Sequence, residues 1–335
     1  MIRVGVVGAS GYTGLELVKM LVSHPKFVLT YLATTSGDSM IETLHPSLVG
    51  VATQKVKKAT TEGVAEHCDL VFLALPHKAS MGFAKGLIDK GIKVVDLSAD
   101  YRLELETYER HYCEHEDREY LDSAVYALIE YYREELKSTQ LAAGPGCYPT
   151  ATLLGILPFI PYLDPNVPLF VDAKSGVSGA GKKLSDTTHF VTINDNIFAY
   201  NPLKHRHAPE IAEKIEKIHG VKMQVNFVPH LIPATRGELI SVYGVLQADI
   251  DPLEVLKNHY ADDPFIRVRE NPVDIKSTAG THFCDIYAAR NGNALFVNAA
   301  IDNLLRGASS QALAAANLMC GLDEAMGIPT IAYVP

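Results

Sequence analysis

The feature that most constrains the fold is Gly8-Ala9-Ser10-Gly11-Tyr12-Thr13-Gly14, set between an apolar run at 2–7 and a helical pattern that begins by Leu15. A strand that ends in glycines and re-enters as a helix is the first half of a strand–helix–strand unit. The glycines permit a tight turn, and the N–H groups at the helix start then offer a cradle for phosphate. The spacing is GxxGxxG and not GxGxxG, so its place in the chain carries the inference as much as the glycines do. Further runs at 28–33, 70–75 and 93–97 alternate with a helical pattern at 79–90 that Gly91 closes. This alternation predicts an α/β fold with a Rossmann-type, doubly wound parallel sheet.

Past residue 147 the texture changes. Apolar runs at 169–173, 223–228, 239–246, 283–289 and 294–301 lie close together, with helical patterns between them only at 209–218 and 252–260. A second α+β domain on a mixed or antiparallel sheet is expected. The alanine-rich segment 304–319 reads as a final helix. The expected division is therefore a first domain of residues 1–146, with the tail 304–335 packing back on it, and a second of residues 147–303. A chain of 335 residues can give each its own core.

The formal net charge of −9 gives no purchase for nucleic acid or an anionic membrane. An anionic substrate must then be met by local cations. The cysteines at 68, 113, 147, 284 and 320 are odd in number and form no CxxC pair, the usage of a reducing compartment. No run is long and apolar enough to span a membrane, and the strand-like run at Ile2 leaves no room for a leader. A cytoplasmic protein is expected.

Several segments carry candidate chemistry. Gly144-Pro145-Gly146-Cys147-Tyr148-Pro149-Thr150 precedes the apolar run 151–160, which places a thiol on a turn feeding a helix. The dipole and unpaired N–H groups there favour the thiolate, the nucleophilic form. A small buried cysteine is the plainer alternative. In Lys204-His205-Arg206-His207-Ala208-Pro209-Glu210 the proline suits a helix start, and either histidine can move protons near neutral pH. A surface pair is the plain reading, and a metal site lacks a third ligand at recognisable spacing. The segment 111–117 mixes His, Cys, Glu and Asp but reads as a solvated helix or loop.

The segment 175–183 offers small residues for close backbone approach, plus Lys182 and Lys183; a flexible linker is its alternative. Arg236, in Pro233-Ala234-Thr235-Arg236-Gly237, can grip carboxylate or phosphate with two N–H groups. After the second strand comes Thr34-Thr35-Ser36-Gly37, with no carboxylate before Asp38. Absence of the usual ribose-binding acid leans towards NADP, although no Lys or Arg lies between Lys26 and Lys55.

Together these motifs resemble the N-acetyl-gamma-glutamyl-phosphate reductase family, relatives of aspartate-semialdehyde dehydrogenase. The resemblance spans essentially the whole chain: GASGYTG at 8–14, LPH at 75–77, DLSADYRL at 96–103, GPGCYPTA at 144–151, SGVSGAGK at 175–182, HRHAPEI at 205–211 and AIDNL at 300–304. It implies NADPH-dependent reduction of N-acetyl-glutamyl 5-phosphate to the 5-semialdehyde, a step of arginine biosynthesis, through a thioester on Cys147 with His205 as acid and base. It assigns Ser10, Gly11, Tyr12, Thr13 and Gly14 to the NADP phosphates and Asn303 to the neighbourhood of the nicotinamide; Gly8 of the same turn and Ser36, a hydroxyl after the second strand, are further cofactor-binding candidates. Ser175, Gly176, Ser178, Lys182 and Arg236 would line the substrate's anion site. A homodimer or homotetramer is implied, with the second domain supplying the interface. Lys182 departs from a common arginine and His282 from a common asparagine. Reduction of the longer acyl phosphate of the aminoadipate route to lysine is the near alternative, and a thiol hydrolase and a non-catalytic NADP sensor are the distant ones.

Overall fold

The structure is a computed structural model and describes residues 1–333. It divides into two compact units, residues 1–145 with 308–329, and residues 146–307 with 330–333.

In the first unit the strands are β1 Ile2–Val7, β2 Phe27–Thr34, β3 Ser39–Met40, β4 Lys55–Lys58, β5 Leu70–Leu73, β6 Lys93–Asp96, β7 Val125–Tyr126 and β8 Leu141–Ala143. They form one sheet in the order β3-β4-β2-β1-β5-β6-β8-β7, parallel except for β3 against β4. The last four residues of β1 and all four of β5 are buried. Such unbroken apolar runs belong to strands covered on both faces. The first helix, Tyr12–Val22, buries Gly14, Leu17, Val18 and Leu21, one stripe at helical spacing. β2 and β5 flank β1 on opposite sides, so the order of strand addition reverses there. The crevice at the carboxyl ends of these strands is where open α/β sheets bind ligands.

Ser310–Met319, buried at every residue, packs on the helix Ile129–Ser138 and on β6. Its alanines let the backbones approach closely, and Gln311 Nε2 donates to the carbonyl of Ala127 at 2.6 Å. One regular helix over 304–319 is not what forms. Residues Leu305–Ser309 make a π-helical turn, with the Gly307 N–H on the Asp302 carbonyl at 2.9 Å. The Asp302 carboxylate also accepts the N–H groups of Leu304 and Leu305 at 2.9 Å each. Residues 304–307 consequently stay with the second unit, as do residues 330–333, instead of joining the first as expected. The border itself falls between Pro145 and Gly146.

The second unit's strands are β9 Leu169–Gly176, β10 Phe198–Ala199, β11 Val225–Ile232, β12 Glu238–Val245, β13 Ile266–Val268, β14 Cys284–Asn291 and β15 Ala294–Ile301. The sheet order is β10-β11-β9-β12-β15-β14-β13, with parallel pairs β9–β11 and β13–β14 among antiparallel ones. The helix Cys147–Ile156 packs on β12 and β15, where a Cβ at Gly155 would meet Val297 at 3.1 Å. Alternation then sends Val171, Val242 and Val297 into that core and leaves Phe170, Tyr243 and Phe296 on the opposite face. Phe170 and Tyr243 are about half exposed, and the Tyr243 and Phe296 rings lie 5.5 Å apart.

Candidate active site

In the first unit the chain leaves β1 through Gly8, whose φ of +97° only glycine adopts without strain. A Cβ there would stand 2.1 Å from the Ala74 carbonyl oxygen, and one at Gly14 would stand 2.4 Å from that of Gly8. These contacts draw the helix start against the strand ends. Gly11 is the N-cap residue, and no side chain caps the helix among the described residues. The first-turn N–H groups beside Tyr12 and Thr13 are thus oriented for a phosphate, with the Ser10 hydroxyl next to them. His45, buried, braces the turn through Nε2 on the Ala9 carbonyl at 2.7 Å. The turn fits a dinucleotide's phosphates.

Ser36 is exposed beyond β2, on a bend held by the Gly37 N–H on Thr34 Oγ1 at 3.1 Å. Lysines lie on the neighbouring strand. Lys58 of β4 pairs opposite Thr34 and is exposed, and Lys55 faces Asp38 at 3.7 Å. Sheet pairing, not chain proximity, brings them there.

The DLSADYRL segment acts from within. Asp100, fully buried, accepts the N–H groups of Lys78 and Ser80 and the Tyr108 hydroxyl. His115 Nε2 meets the Asp100 carbonyl at 2.6 Å, and Asp117 accepts the Tyr101 hydroxyl at 2.7 Å. The end of the charged segment 111–117 is thereby an interior brace, against the solvated reading. Arg102 donates to the carbonyls of Gly144 at 2.6 Å and Leu97 at 2.9 Å, fixing the chain just ahead of Pro145.

In the second unit Cys147 is the first residue of its helix, with Gly146 as N-cap. The Gly146 N–H donates to Oε1 of Glu210 at 2.9 Å, and Glu210 is fully buried on the helix His207–His219. Two close approaches seat the thiol. A Cβ at Gly146 would lie 2.7 Å from Nε2 of His207, and one at Gly307 would lie 2.6 Å from the Cβ of Cys147. His205 stands in an aromatic box formed by Tyr148, Tyr200, His207 and Phe227, at centroid distances of 4.7–5.8 Å. Burial, and secondarily the charge of Arg206, push its pKa down to about 4, so the ring is neutral at pH 7. Its Nδ1 accepts the His207 N–H at 3.2 Å, which leaves the hydrogen of the neutral ring on Nε2.

The other expected site residues are knit together beside the thiol helix. Asn303 donates to Ser178 Oγ at 3.0 Å and accepts the Gly237 N–H at 2.8 Å. Ser175, buried, donates to the Gly176 carbonyl at 3.0 Å, and Gly176 ends β9. Arg236 forks onto both oxygens of Asp302 at 3.0 Å, so its charge is largely balanced inside the protein. Lys182 and Lys183 are exposed. His282 accepts from the buried Arg306 at 2.6 Å, which requires a neutral ring; burial and that guanidinium hold its pKa well down. Sequence reasoning left Glu210, Glu238, Gly307 and Lys58 without roles. Glu238 did carry a signal: it is a lone charge opening an apolar strand run.

Two family models match the chain: "Semialdehyde dehydrogenase, NAD binding domain" over residues 3–139 and "Semialdehyde dehydrogenase, dimerisation domain" over residues 147–303. The chain is 82% identical to the N-acetyl-gamma-glutamyl-phosphate reductase of Sulfurovum sp. over the full length of both. It is 61% identical to that of Wolinella succinogenes, covering 100% of this chain and 99% of the relative. Among solved structures, aspartate semialdehyde dehydrogenase II of Vibrio cholerae superposes with a TM-score of 0.73 at 16% identity, covering 96% of this chain and 98% of that one. The Candida albicans aspartate semialdehyde dehydrogenase solved with NADP gives 0.69, also at 16% identity and with the same coverage. These likenesses show the fold.

The contact at Gly307 is open to a direct test. Gly307→Ala should cost about 1–3 kcal/mol in urea unfolding, as overpacking does, and slow iodoacetamide labelling of Cys147 severalfold. An unchanged labelling rate in the folded variant would mean that this contact does not seat the thiol.

Proposed function

The chain belongs to the N-acetyl-gamma-glutamyl-phosphate reductase family of the semialdehyde dehydrogenases, and from that premise we propose how its residues carry the reaction. It reduces the acyl phosphate N-acetyl-glutamyl 5-phosphate to the 5-semialdehyde with release of phosphate, in arginine biosynthesis. The 82% identity across the full length of both chains is the observation that carries this reading. Cys147 is the nucleophile. Its thiolate attacks the acyl carbon, phosphate leaves from the tetrahedral adduct, and the acyl group remains as a thioester. A nicotinamide dinucleotide bound at the 8–14 turn supplies hydride.

Backbone N–H groups at the start of the Cys147 helix face the developing oxyanion, a contribution of about 3 kcal/mol. His205, with its hydrogen on Nε2, donates to the same oxygen as charge grows there. Lys182 and Lys183 meet the substrate's anionic ends, and Arg236 with Asp302 holds the loop that faces them. Asn303 keeps Ser178 and Gly237 in register. All five cysteines are thiols, and no helix among the described residues is long and apolar enough to cross a membrane. Both features suit the reducing cytoplasm.

One cuvette tests the chemistry: N-acetyl-glutamate 5-semialdehyde, phosphate and NADP, read at the NADPH absorbance. Phosphate-dependent reduction is expected. Cys147→Ser should abolish it while NADPH binding persists, and an active serine variant would sink the covalent route. His205→Ala should lower kcat more than His207→Ala does.

Preference for NADP over NAD is assigned to Lys58, the exposed cation opposite the end of β2. Lys58→Glu should lower kcat/KM for NADPH more than tenfold and leave that for NADH nearly unchanged; equal effects on both would remove Lys58 from this role.

The oligomer is assigned to a homodimer formed through the open face of the second unit's sheet. That face carries a cross-strand row, Phe170–Tyr243–Phe296, within the segment whose family model is named for dimerisation. Tyr243→Asp should shift sedimentation towards the monomer, and a dimer of undiminished stability would place the interface elsewhere.

A further inference from the structure

Glu238 is the first residue of β12, pairs with Ser175 on one side and Ile301 on the other, and has no exposed surface. The helix opened by Cys147 packs on this same strand. No backbone N–H or hydroxyl among the described residues reaches either carboxyl oxygen. The side chain that pulls against the effect of burial on this carboxyl is the Cys147 thiol. A buried carboxyl with neither oxygen hydrogen-bonded among the described residues is uncommon in a folded protein. The remaining charged or titratable groups around it are Asp302, with its charge on Arg236, and the phenols of Tyr148 and Tyr200, both held protonated by burial.

His205 is poorly placed to take the thiol's proton. Its Nδ1 already accepts the His207 N–H, and its Nε2 carries the ring hydrogen. It can donate to an oxyanion, but the S–H hydrogen needs another acceptor.

We propose that Glu238 is that acceptor once the pair has lost one proton: the Cys147 S–H bond breaks as an O–H bond forms on the Glu238 carboxylate, converting a thiol–carboxylate pair into a thiolate–carboxylic acid pair. No charge enters or leaves the site in this step. When the thiohemiacetal collapses and the thiolate is expelled, the proton returns to sulfur and the pair is reset. The role rests on Cys147 being the nucleophile. The energetics are balanced. Burial, and to a lesser degree Asp302, push the Glu238 carboxyl up to about 8 against the opposing pull of the thiol. An ordinary cysteine titrates at about 8.5. Two acids in contact share one proton over part of their titration, and that titration belongs to the pair.

The test is alkylation of Cys147 by iodoacetamide across pH 5–10 on the full chain, quantified at that residue by mass spectrometry. The wild type should show two steps, the first near pH 8 as the pair loses its first proton and the second as the dianion forms. Glu238→Gln should show one step, with kcat for acyl-phosphate reduction down more than tenfold and KM for NADPH unchanged. A one-step wild-type profile overturns the proposal, and so does a two-step profile or undiminished kcat in Glu238→Gln. Should that variant fail to fold by circular dichroism, the wild-type profile alone decides. Retained turnover by Cys147→Ser would defeat the nucleophile assignment instead, and the two-step titration would still report on the pair.

Discussion

The Cys147 thiol occupies the first turn of its helix because no Cβ stands at Gly146 or Gly307, where each would fall within 2.7 Å of a neighbour. That close packing is held from several directions. Glu210 takes the Gly146 N–H, and the π-helical turn begun by Asp302 brings Gly307 against the thiol residue. Helix N-termini carry orphan N–H groups by construction. What this sequence adds is a backbone anchored tightly enough that the N–H groups beside the sulfur keep one direction. An oxyanion site depends on such preorganisation more than on the number of its donors.

The charges around the thiol are arranged by the same economy. Asp302 binds Arg236 through two oxygens and still accepts three backbone N–H groups, those of Gly280, Leu304 and Leu305. Arg306 is directed to His282. His282 keeps an acceptor nitrogen for a buried guanidinium and stays neutral to do so. With these charges satisfied internally, Glu238 is the buried acid left facing the sulfur.

Much of this could be read from the sequence. The alternation of strands and helices gave a parallel sheet, and the dense runs after residue 147 gave the mixed one, because burial on one or both faces writes itself into period and length. The short strands escaped. β4 is Lys-Val-Lys-Lys, with one buried residue in four, and β7, β10 and β13 have two or three residues each, too few for a period. The π-helical turn escaped because it is produced by one aspartate accepting three N–H groups, while its residues look like ordinary helix formers. Lys58 escaped for a different reason: it lies 24 residues from Thr34 in the chain and joins it only through strand pairing. Glu210 and Glu238 were visible as letters, but what they do depends on which backbone or thiol the fold sets beside them.

Glu238 is also a group whose cost argues for its use. With its folded pKa raised to about 8, it binds a proton in the native state that the unfolded chain has already lost between about pH 4.5 and 8. Its contribution to stability is therefore fully present below the ordinary carboxyl range and is lost as pH rises through 8. Glutamine or an apolar residue of similar size would avoid that loss at neutral and alkaline pH. Folding thus gains nothing from an acid at this position, whereas a thiol that must give up its proton does. The same desolvation that makes Glu238 expensive raises its affinity for the proton that the sulfur gives up.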